Sequence, residues 1–215
     1  FTCRSVSSTG TDTYSAIAAA VGSLKGPKHG GANRQVLAQF SLIKQTVRDW
    51  KDDDAVAGCV RRILRRELGD GSGLIYGMGH AVYTLSDPRT VILRQSARTL
   101  AAQRGMLDEL ELMEAVERVT PRVFAEITGH EKVMCANVDM YSGLIYQMLD
   151  IPPDLFTPLF AVARITGWCA HRMEEVLTGG RLYRPAYKSL TRHREYIPMA
   201  ARTYRKNPLP AEKRD

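Results

Sequence analysis

The chain has 215 residues, a length that suits one large domain or two small ones. Apolar residues make up 44% and charged residues 25%, which is ordinary for a globular protein. No apolar run approaches the roughly 18 residues that a membrane helix needs. No charged-then-apolar leader opens the chain, so neither a membrane anchor nor a secretory signal is indicated.

The formal net charge of +7 is unevenly distributed along the chain. Residues 1–180 hold 20 basic and 20 acidic side chains, whereas residues 181–215 hold 10 basic and 3 acidic ones. A basic tail can bind nucleic acid or an acidic membrane, and it can also supply cations to a polyanionic small ligand. Composition alone leaves these alternatives open.

The four cysteines, Cys3, Cys59, Cys135 and Cys169, are too far apart in sequence to form a metal knuckle or a redox pair. In the absence of a secretory signal, reduced thiols and a cytoplasmic location are the expectation. No His-Glu-x-x-His or similar ligand spacing occurs, so no metal site is predicted.

The apolar pattern is helical almost throughout the chain. Seven helices are predicted. In chain order they run from the N-cap Asp12 to the break at Gly26-Pro27, over 32–50, along the apolar stripe at 56–64 with Asp52 to Asp54 at its N-terminal end, from the N-cap Asp87 to Gly105, over 109–127, from the cap Asn137 to Leu149, and over 155–177. No alternating strand pairs or Asn-Gly hairpins are found, so the predicted fold class is all-α.

Three short segments carry residues that packing alone does not require. They are GPKHGGAN at 26–33, GMGHAVY at 77–83 with DPR at 87–89, and NVDMYSG at 137–143. Each has a plain interpretation when taken singly. The first is then a turn with a surface histidine, the second a flexible loop with a solvated arginine, and the third an aspartate that the helix dipole favours.

Taken together, the three segments closely resemble the signatures of the citrate synthase family, in its bacterial and archaeal branch. FTPLFAVARITGW at 156–168 and the Arg184-Pro185 pair resemble the family too. The resemblance covers nearly the whole chain. Ala81 departs from it, since many members have arginine there. The family also has about as much chain again before this point, including a further oxaloacetate-binding histidine, so we expect this sequence to be a C-terminal portion.

The resemblance implies a reaction and a catalytic trio. The family condenses acetyl-CoA with oxaloacetate and hydrolyses the thioester, and acetyl-CoA is a substrate, so no cofactor is expected. By resemblance, Asp139 is the base that enolises acetyl-CoA, His29 donates a hydrogen bond to the thioester oxygen, and His80 polarises the ketone of oxaloacetate. His29 precedes a helix N-terminus, whose positive end disfavours imidazolium and favours a neutral donor.

The resemblance also implies two sets of binding residues. The substrate carboxylates are bound by three arginines, a residue type whose fork pairs bidentately with carboxylate: Arg89, Arg164 and Arg184. The CoA-binding loop comprises Ile75, Tyr76, Gly77, Met78 and Gly79, together with Asn137. In the family, the arginine matching Arg184 reaches into the partner subunit's site, which implies a homodimer.

The implied fold has two helical domains. A complete small catalytic domain is expected over 26–150, and segments of a large domain over 1–25 and 151–215. We expect residues 1–215 alone not to turn over substrate, because one oxaloacetate ligand and much of the large domain are absent from it.

Two other functions stay open at this point. A 2-methylcitrate synthase would use propionyl-CoA, which differs from acetyl-CoA by one methylene, worth only ~1–3 kcal/mol of discrimination. A non-catalytic helical module that binds nucleic acid through the basic tail is the other, although neither nucleic acid nor membrane is the expected partner. Phosphate-driven binding would weaken steeply with salt.

Overall fold

A computed structural model describes residues 1–130, 133–186, 188 and 195–202. The helices of this part of the chain are α1 (Thr2–Ser7), α2 (Thr13–Leu24), α3 (Ala32–Thr46), α4 (Asp53–Leu64), α5 (Pro88–Arg104), α6 (Leu107–Thr128), α7 (Asp139–Met148) and α8 (Phe156–Thr178). Two 3-10 turns are formed by Pro153–Leu155 and Met199–Ala201. Over these residues no strand is formed, and the one isolated bridge joins Met78 to Ala136. The all-α prediction is therefore confirmed.

Several helix ends are set by residues that the sequence identifies. The Asp12 carboxylate accepts from the Ser15 N–H at the start of α2, and the Asp87 carboxylate accepts from the Arg89 N–H at the start of α5. Gly105 ends α5 in the left-handed conformation, at φ 68°. One predicted end is wrong, because α3 stops at Thr46 and not at residue 50. Val47 turns to an extended conformation there and is buried in the core.

The chain forms two compact units, Phe1–Leu182 and Tyr183–Asp215. Within the first unit, the largest hydrophobic cluster is contributed by α3 to α7 and includes Val36, Val60, Leu110, Val116 and Leu144. A smaller cluster of Cys3, Ala16 and Ala20, with Val6, Ile17 and Trp168 packed against it, joins α1 and α2 to α8. The domain division predicted at 25/26 and 150/151 is not tested by these packing relations and stays a prediction.

Helix α7 packs against both α3 and α5. Gly143 allows the approach of α3, because a Cβ at this position would lie 2.9 Å from Leu37 Cγ. The loops that carry the predicted catalytic histidines lead into α3 and α5, and the predicted catalytic aspartate begins α7. The packing of these three helices therefore positions the candidate site.

Candidate active site

The glycine-rich loop that carries His80 is hydrogen-bonded to the segment that precedes α7. The Gly79 N–H donates to the Cys135 carbonyl (2.8 Å), and the Asn137 N–H donates to the Gly77 carbonyl (2.8 Å). Gly77 adopts φ +87°, and a Cβ there would lie 2.9 Å from Met140 Cα, so a larger residue does not fit. This pairing brings the His80 loop to the N-terminus of α7, across more than fifty residues of sequence.

The hydrogen bonds of the His80 ring assign its tautomer. Nδ1 accepts from the backbone N–H groups of Val82 (2.9 Å) and Tyr83 (3.1 Å). In a neutral imidazole the proton then lies on Nε2, which can donate to a ligand. The exposed ring also lies against the Tyr83 ring, with the centroids 4.8 Å apart.

Arg89 is held beside His80 by a buried carboxylate. Asp87 accepts from Arg89 Nε (3.0 Å) and Nη2 (2.7 Å), and its side chain is fully buried. The hydrogen bond from the Arg89 side chain keeps the pKa of Asp87 below its ordinary value. Arg89 Nη2 lies 3.4 Å from His80 Nε2. Both nitrogens carry hydrogen in the assigned tautomer, so they do not hydrogen-bond to each other. An anionic ligand could accept a hydrogen bond from each of them.

Asp139 is the first residue of α7 and is largely withdrawn from solvent. Burial raises the pKa of its carboxyl to about 6, while the charge of Arg89, and that of His80 whenever its ring is protonated, act in the opposite direction. Its backbone N–H donates to Asn137 Oδ1 (3.0 Å), and Asn137 Nδ2 donates to the Gly79 carbonyl (2.9 Å). A carboxyl whose pKa lies close to neutrality is suited to accept a proton from a weak carbon acid.

His29 lies in the tight loop before α3. The loop is closed by the Gly30 N–H, which donates to the Leu24 carbonyl (2.8 Å), and a Cβ on Gly30 would lie 2.7 Å from that same oxygen. Thr157 Oγ1 donates to the Gly30 carbonyl (2.9 Å), which ties the loop to the start of α8. The exposed His29 ring packs edge-on against Phe160, with the ring centroids 5.6 Å apart.

The other predicted site residues are distributed differently. Arg164 is exposed on α8, and Arg184 is exposed in the second unit, whereas Arg89 lies beside His80 within the first unit. Asn137 uses both ends of its amide to link the loop to α7. Its predicted contact with CoA, like the other assigned roles, stays a prediction.

Two residues of the cluster had no predicted role at the site. Asp87 was predicted only as a helix cap, but it also orients the Arg89 guanidinium. Tyr83 packs on His80, and Arg89 Cζ lies 5.5 Å from the centroid of its ring. The Asp-x-Arg spacing was available in the sequence. The stacking of Tyr83 depends on the turn after His80, which local patterns do not specify.

Among the described residues, no group of three or more His, Cys, Asp or Glu side chains is arranged to hold a metal ion. The helices of this same part of the chain include none that is long and apolar enough to cross a membrane.

The raised pKa of Asp139 predicts that this residue reduces stability at neutral pH. An unfolded aspartate has a pKa of about 3.9, so the folded state holds the proton more tightly, and stability is lost as pH rises from about 4 to 6. Asp139→Asn should therefore raise the free energy of unfolding by roughly 3 kcal/mol at pH 8 but change it little at pH 4. Urea unfolding at the two pH values checks this. An equal effect at both would contradict the assignment of a buried carboxyl.

The site can be compared with known proteins. The model of the citrate synthase C-terminal domain family matches residues 1–186. The citrate synthase of Synechocystis sp. is 41% identical over 205 residues, which cover 94% of this chain and 47% of that protein. The 2-methylcitrate synthase 1 of Corynebacterium glutamicum is 37% identical over 205 residues, which cover 94% of this chain and 48% of that protein.

A solved structure agrees in fold as well as in sequence. The ternary complex of Thermoplasma acidophilum citrate synthase with carboxymethyl-CoA and oxaloacetate has a TM-score of 0.73 at 32% identity, over 94% of this chain and 50% of that one. The family model, the relatives and the solved structure thus all point to the same class of enzyme, the citrate synthases. This chain belongs to the citrate synthase family. It spans about half the length of the curated relatives it matches.

Proposed function

We propose that this chain supplies the catalytic side chains of a citrate synthase, an acyltransferase that joins acetyl-CoA to oxaloacetate and hydrolyses the thioester to citrate and CoA. The observation that supports this best is the placement of Asp139. Its carboxyl has a pKa of about 6 and is close enough to Arg89 and His80 to interact with them electrostatically. The proposal also draws on the family membership and on the three sequence signatures.

The proposed reaction begins with the methyl group of acetyl-CoA. The Asp139 carboxylate removes a methyl proton while His29 donates a hydrogen bond to the thioester oxygen, which gives an enolate stabilised by that hydrogen bond. The enolate carbon then attacks the ketone of oxaloacetate. His80 Nε2 donates its proton to the ketone oxygen, which becomes the hydroxyl of the product, and the proton taken up by Asp139 balances the one that His80 gives up. Water then cleaves the thioester, so that acetyl-CoA, oxaloacetate and water yield citrate and CoA.

The substrate carboxylates are assigned to the arginines. Arg89 is already oriented by Asp87, and its guanidinium lies within 3.4 Å of His80 Nε2, so one carboxylate can be bound where the ketone meets the imidazole. Arg164 and Arg184 are proposed as further carboxylate ligands on the resemblance alone. Arg184 is proposed to act in the site of a partner subunit.

The experiment that tests the function is an assay of CoA release. Because the chain spans about half of its relatives, activity is measured in a chimaera in which the upstream part of the Synechocystis citrate synthase is joined to residue 1. We expect thiol release that requires both oxaloacetate and acetyl-CoA. A folded chimaera that binds both substrates but releases no CoA would contradict the proposal. The 215-residue chain is assayed in parallel, and we expect no turnover from it.

A 2-methylcitrate synthase is a second candidate, because a relative of that name is 37% identical over 94% of this chain. One methylene in the acyl pocket changes discrimination by only ~1–3 kcal/mol, or about 10–200-fold. The ratio of kcat/KM for acetyl-CoA and propionyl-CoA in the chimaera separates the two candidates. A higher kcat/KM for propionyl-CoA would identify the enzyme as a 2-methylcitrate synthase.

His29 is expected to act on enolisation before oxaloacetate reacts. His29→Ala should therefore abolish most of the exchange of the methyl protons of acetyl-CoA with deuterium from solvent, measured by NMR in the chimaera with a non-reacting oxaloacetate analogue. His171→Ala, which removes another exposed histidine from α8, is the matched control and should exchange normally. Normal exchange in His29→Ala would remove His29 from the mechanism.

We also propose a homodimer in the cytoplasm. Helix α8 carries an exposed apolar stripe at helical spacing, formed by Val162, Ile165, Met173 and Val176, on a different side from the residues that pack on α1 and α2. A second copy of the chain is proposed to pack on this stripe, and sedimentation velocity of the wild type against Ile165→Glu tests this.

The proposed cytoplasmic location draws on the cysteines. All four are free thiols, which supports a reducing compartment.

A further inference from the structure

The segment from Leu74 to Gly79 belongs to neither a helix nor a strand, so its backbone polar groups need partners from elsewhere. At its far end, Gly77 and Gly79 pair with the segment before α7, as described above. At its near end, both partners come from one side chain of α3. Gln39 Nε2 donates to the Leu74 carbonyl (2.9 Å), and Gln39 Oε1 accepts from the Tyr76 N–H (3.0 Å).

Gln39 is an unusual residue for its place in the fold. It lies on α3 among the core residues Val36, Phe40 and Ile43, and it is only 7% exposed. A buried amide is stable only where its donor and acceptor are both used, and here both bond to the backbone on either side of Ile75. The Ile75 side chain is itself buried in the core. The loop is thus held by the buried side chain of Ile75 and by the two hydrogen bonds from Gln39 to the residues on either side of it.

The remaining contacts of this loop lie nearer to solvent. Tyr76 Oη donates to Asp70 Oδ2 (2.5 Å) at an exposed position. Gln35, Gln39, Asp70 and Tyr76 line a cavity of about 110 Å³ between α3 and the loop. Asp70 and Tyr76 are the titratable side chains of this lining. Gln39 is therefore the polar contact of the loop with the core on the α3 side.

We propose that Gln39 is the positioning residue for the CoA-binding loop, which presents the backbone of residues 75–79 to the ligand. This inference rests on the proposed function, which assigns CoA to the loop. Recognition through backbone groups requires that they be held in place before the ligand arrives, because ordering them during binding reduces affinity. Gln39 touches no substrate in this role and acts through the two peptide groups that flank Ile75.

The first experiment measures the loop and the ligand separately in the chimaera, where wild type means the unsubstituted chimaera. Gln39→Leu removes both hydrogen bonds, and Gln45→Leu makes the same change at an exposed position of α3. In Gln39→Leu we expect the Tyr76 amide to lose its protection from hydrogen exchange and the Kd for CoA, measured by NMR titration, to rise about tenfold. Gln45→Leu should match the wild type in both measurements.

A second variant covers the case in which Gln39→Leu fails to fold. In Gln39→Glu the introduced carboxyl has the shape of the amide. When protonated it can donate its O–H to the Leu74 carbonyl and accept from the Tyr76 N–H, whereas the ionised form cannot donate. Burial and the nearby Asp70 should raise the pKa of the introduced group above the ordinary value of about 4.3. CoA affinity should therefore recover as pH falls from about 8 to 5, relative to Gln45→Glu at each pH.

The outcomes separate the two proposals. If the wild type binds CoA and the Gln39 variants bind it equally well at every pH, the positioning role is overturned. If exchange at Tyr76 changes and CoA affinity does not, Gln39 holds the loop but not for CoA, and the inference fails as stated. If the wild type does not bind CoA at all, the proposed function fails, and the exchange of Tyr76 still decides whether Gln39 holds the loop.

Discussion

Replacing Asp139 with asparagine in the chimaeric enzyme is expected to lower kcat about 10²–10⁴-fold, the usual effect of removing a general base. The amide keeps the shape of the side chain and its place at the start of α7 but cannot accept a proton. The methyl group of acetyl-CoA is a very weak acid, and the other carboxylate beside Arg89, that of Asp87, is engaged by the guanidinium, which lowers its pKa and makes it a weaker base. The rate of CoA release at saturating substrates is the measurement.

The same residue sets an expected pH dependence. The carboxylate is the active form, so kcat/KM of the unsubstituted chimaera should rise with pH through about 6 and level off above it. Asp54→Asn makes the same chemical change on the exposed first turn of α4 and should leave both the rate and the profile unchanged. An Asp139→Asn enzyme with near-normal condensation, or a profile without an inflection near pH 6, would remove Asp139 as the base.

Replacing His80 with alanine is expected to be comparably severe, about 10²–10⁴-fold in kcat/KM for oxaloacetate. The loss has two physical causes. The Nε2 donor to the ketone disappears, and Arg89 loses the neighbour that lies 3.4 Å from its guanidinium. Because His80 acts on oxaloacetate and Asp139 on acetyl-CoA, methyl exchange in the presence of a non-reacting oxaloacetate analogue should fall much less than condensation.

The control for this variant is His130→Ala, which removes an exposed histidine two residues beyond the end of α6. Its kinetics should match those of the unsubstituted chimaera. Equal losses of exchange and condensation in His80→Ala would mean that the ring supports the fold of the site and does not act on the ketone. Such a result would leave the assignment of Asp139 intact.

The stability and activity predictions for Asp139 have the same origin. Burial that raises the pKa of the carboxyl makes it a stronger base toward carbon, and the same burial disfavours the ionised form in the folded state. Asp139→Asn should thus yield a more stable protein at pH 8 and an inactive enzyme. A substitution of an exposed aspartate is not expected to produce both effects.

The sequence by itself determined the helical class, most helix ends and the family. Asp12, Asp87 and Gly105 were predictable as caps, because a cap bonds to residues only a few positions away and leaves a local signature. The catalytic candidates were predictable for a related reason. His29, His80 and Asp139 each lie in a short motif of unusual composition, and the three motifs occur together in the family.

The tertiary structure alone decided how those motifs meet. The pairing of Gly77 and Gly79 with Cys135 and Asn137, and the hydrogen bonds of Gln39 to the loop, join residues 35 or more positions apart, and no local pattern reports such distances. The pKa of Asp139 depends on what surrounds the carboxyl after packing, and α3 ends early because Val47 is drawn into the core. Burial and long-range hydrogen bonds arise from the packed chain as a whole, so the chemistry of the site became visible only in the fold.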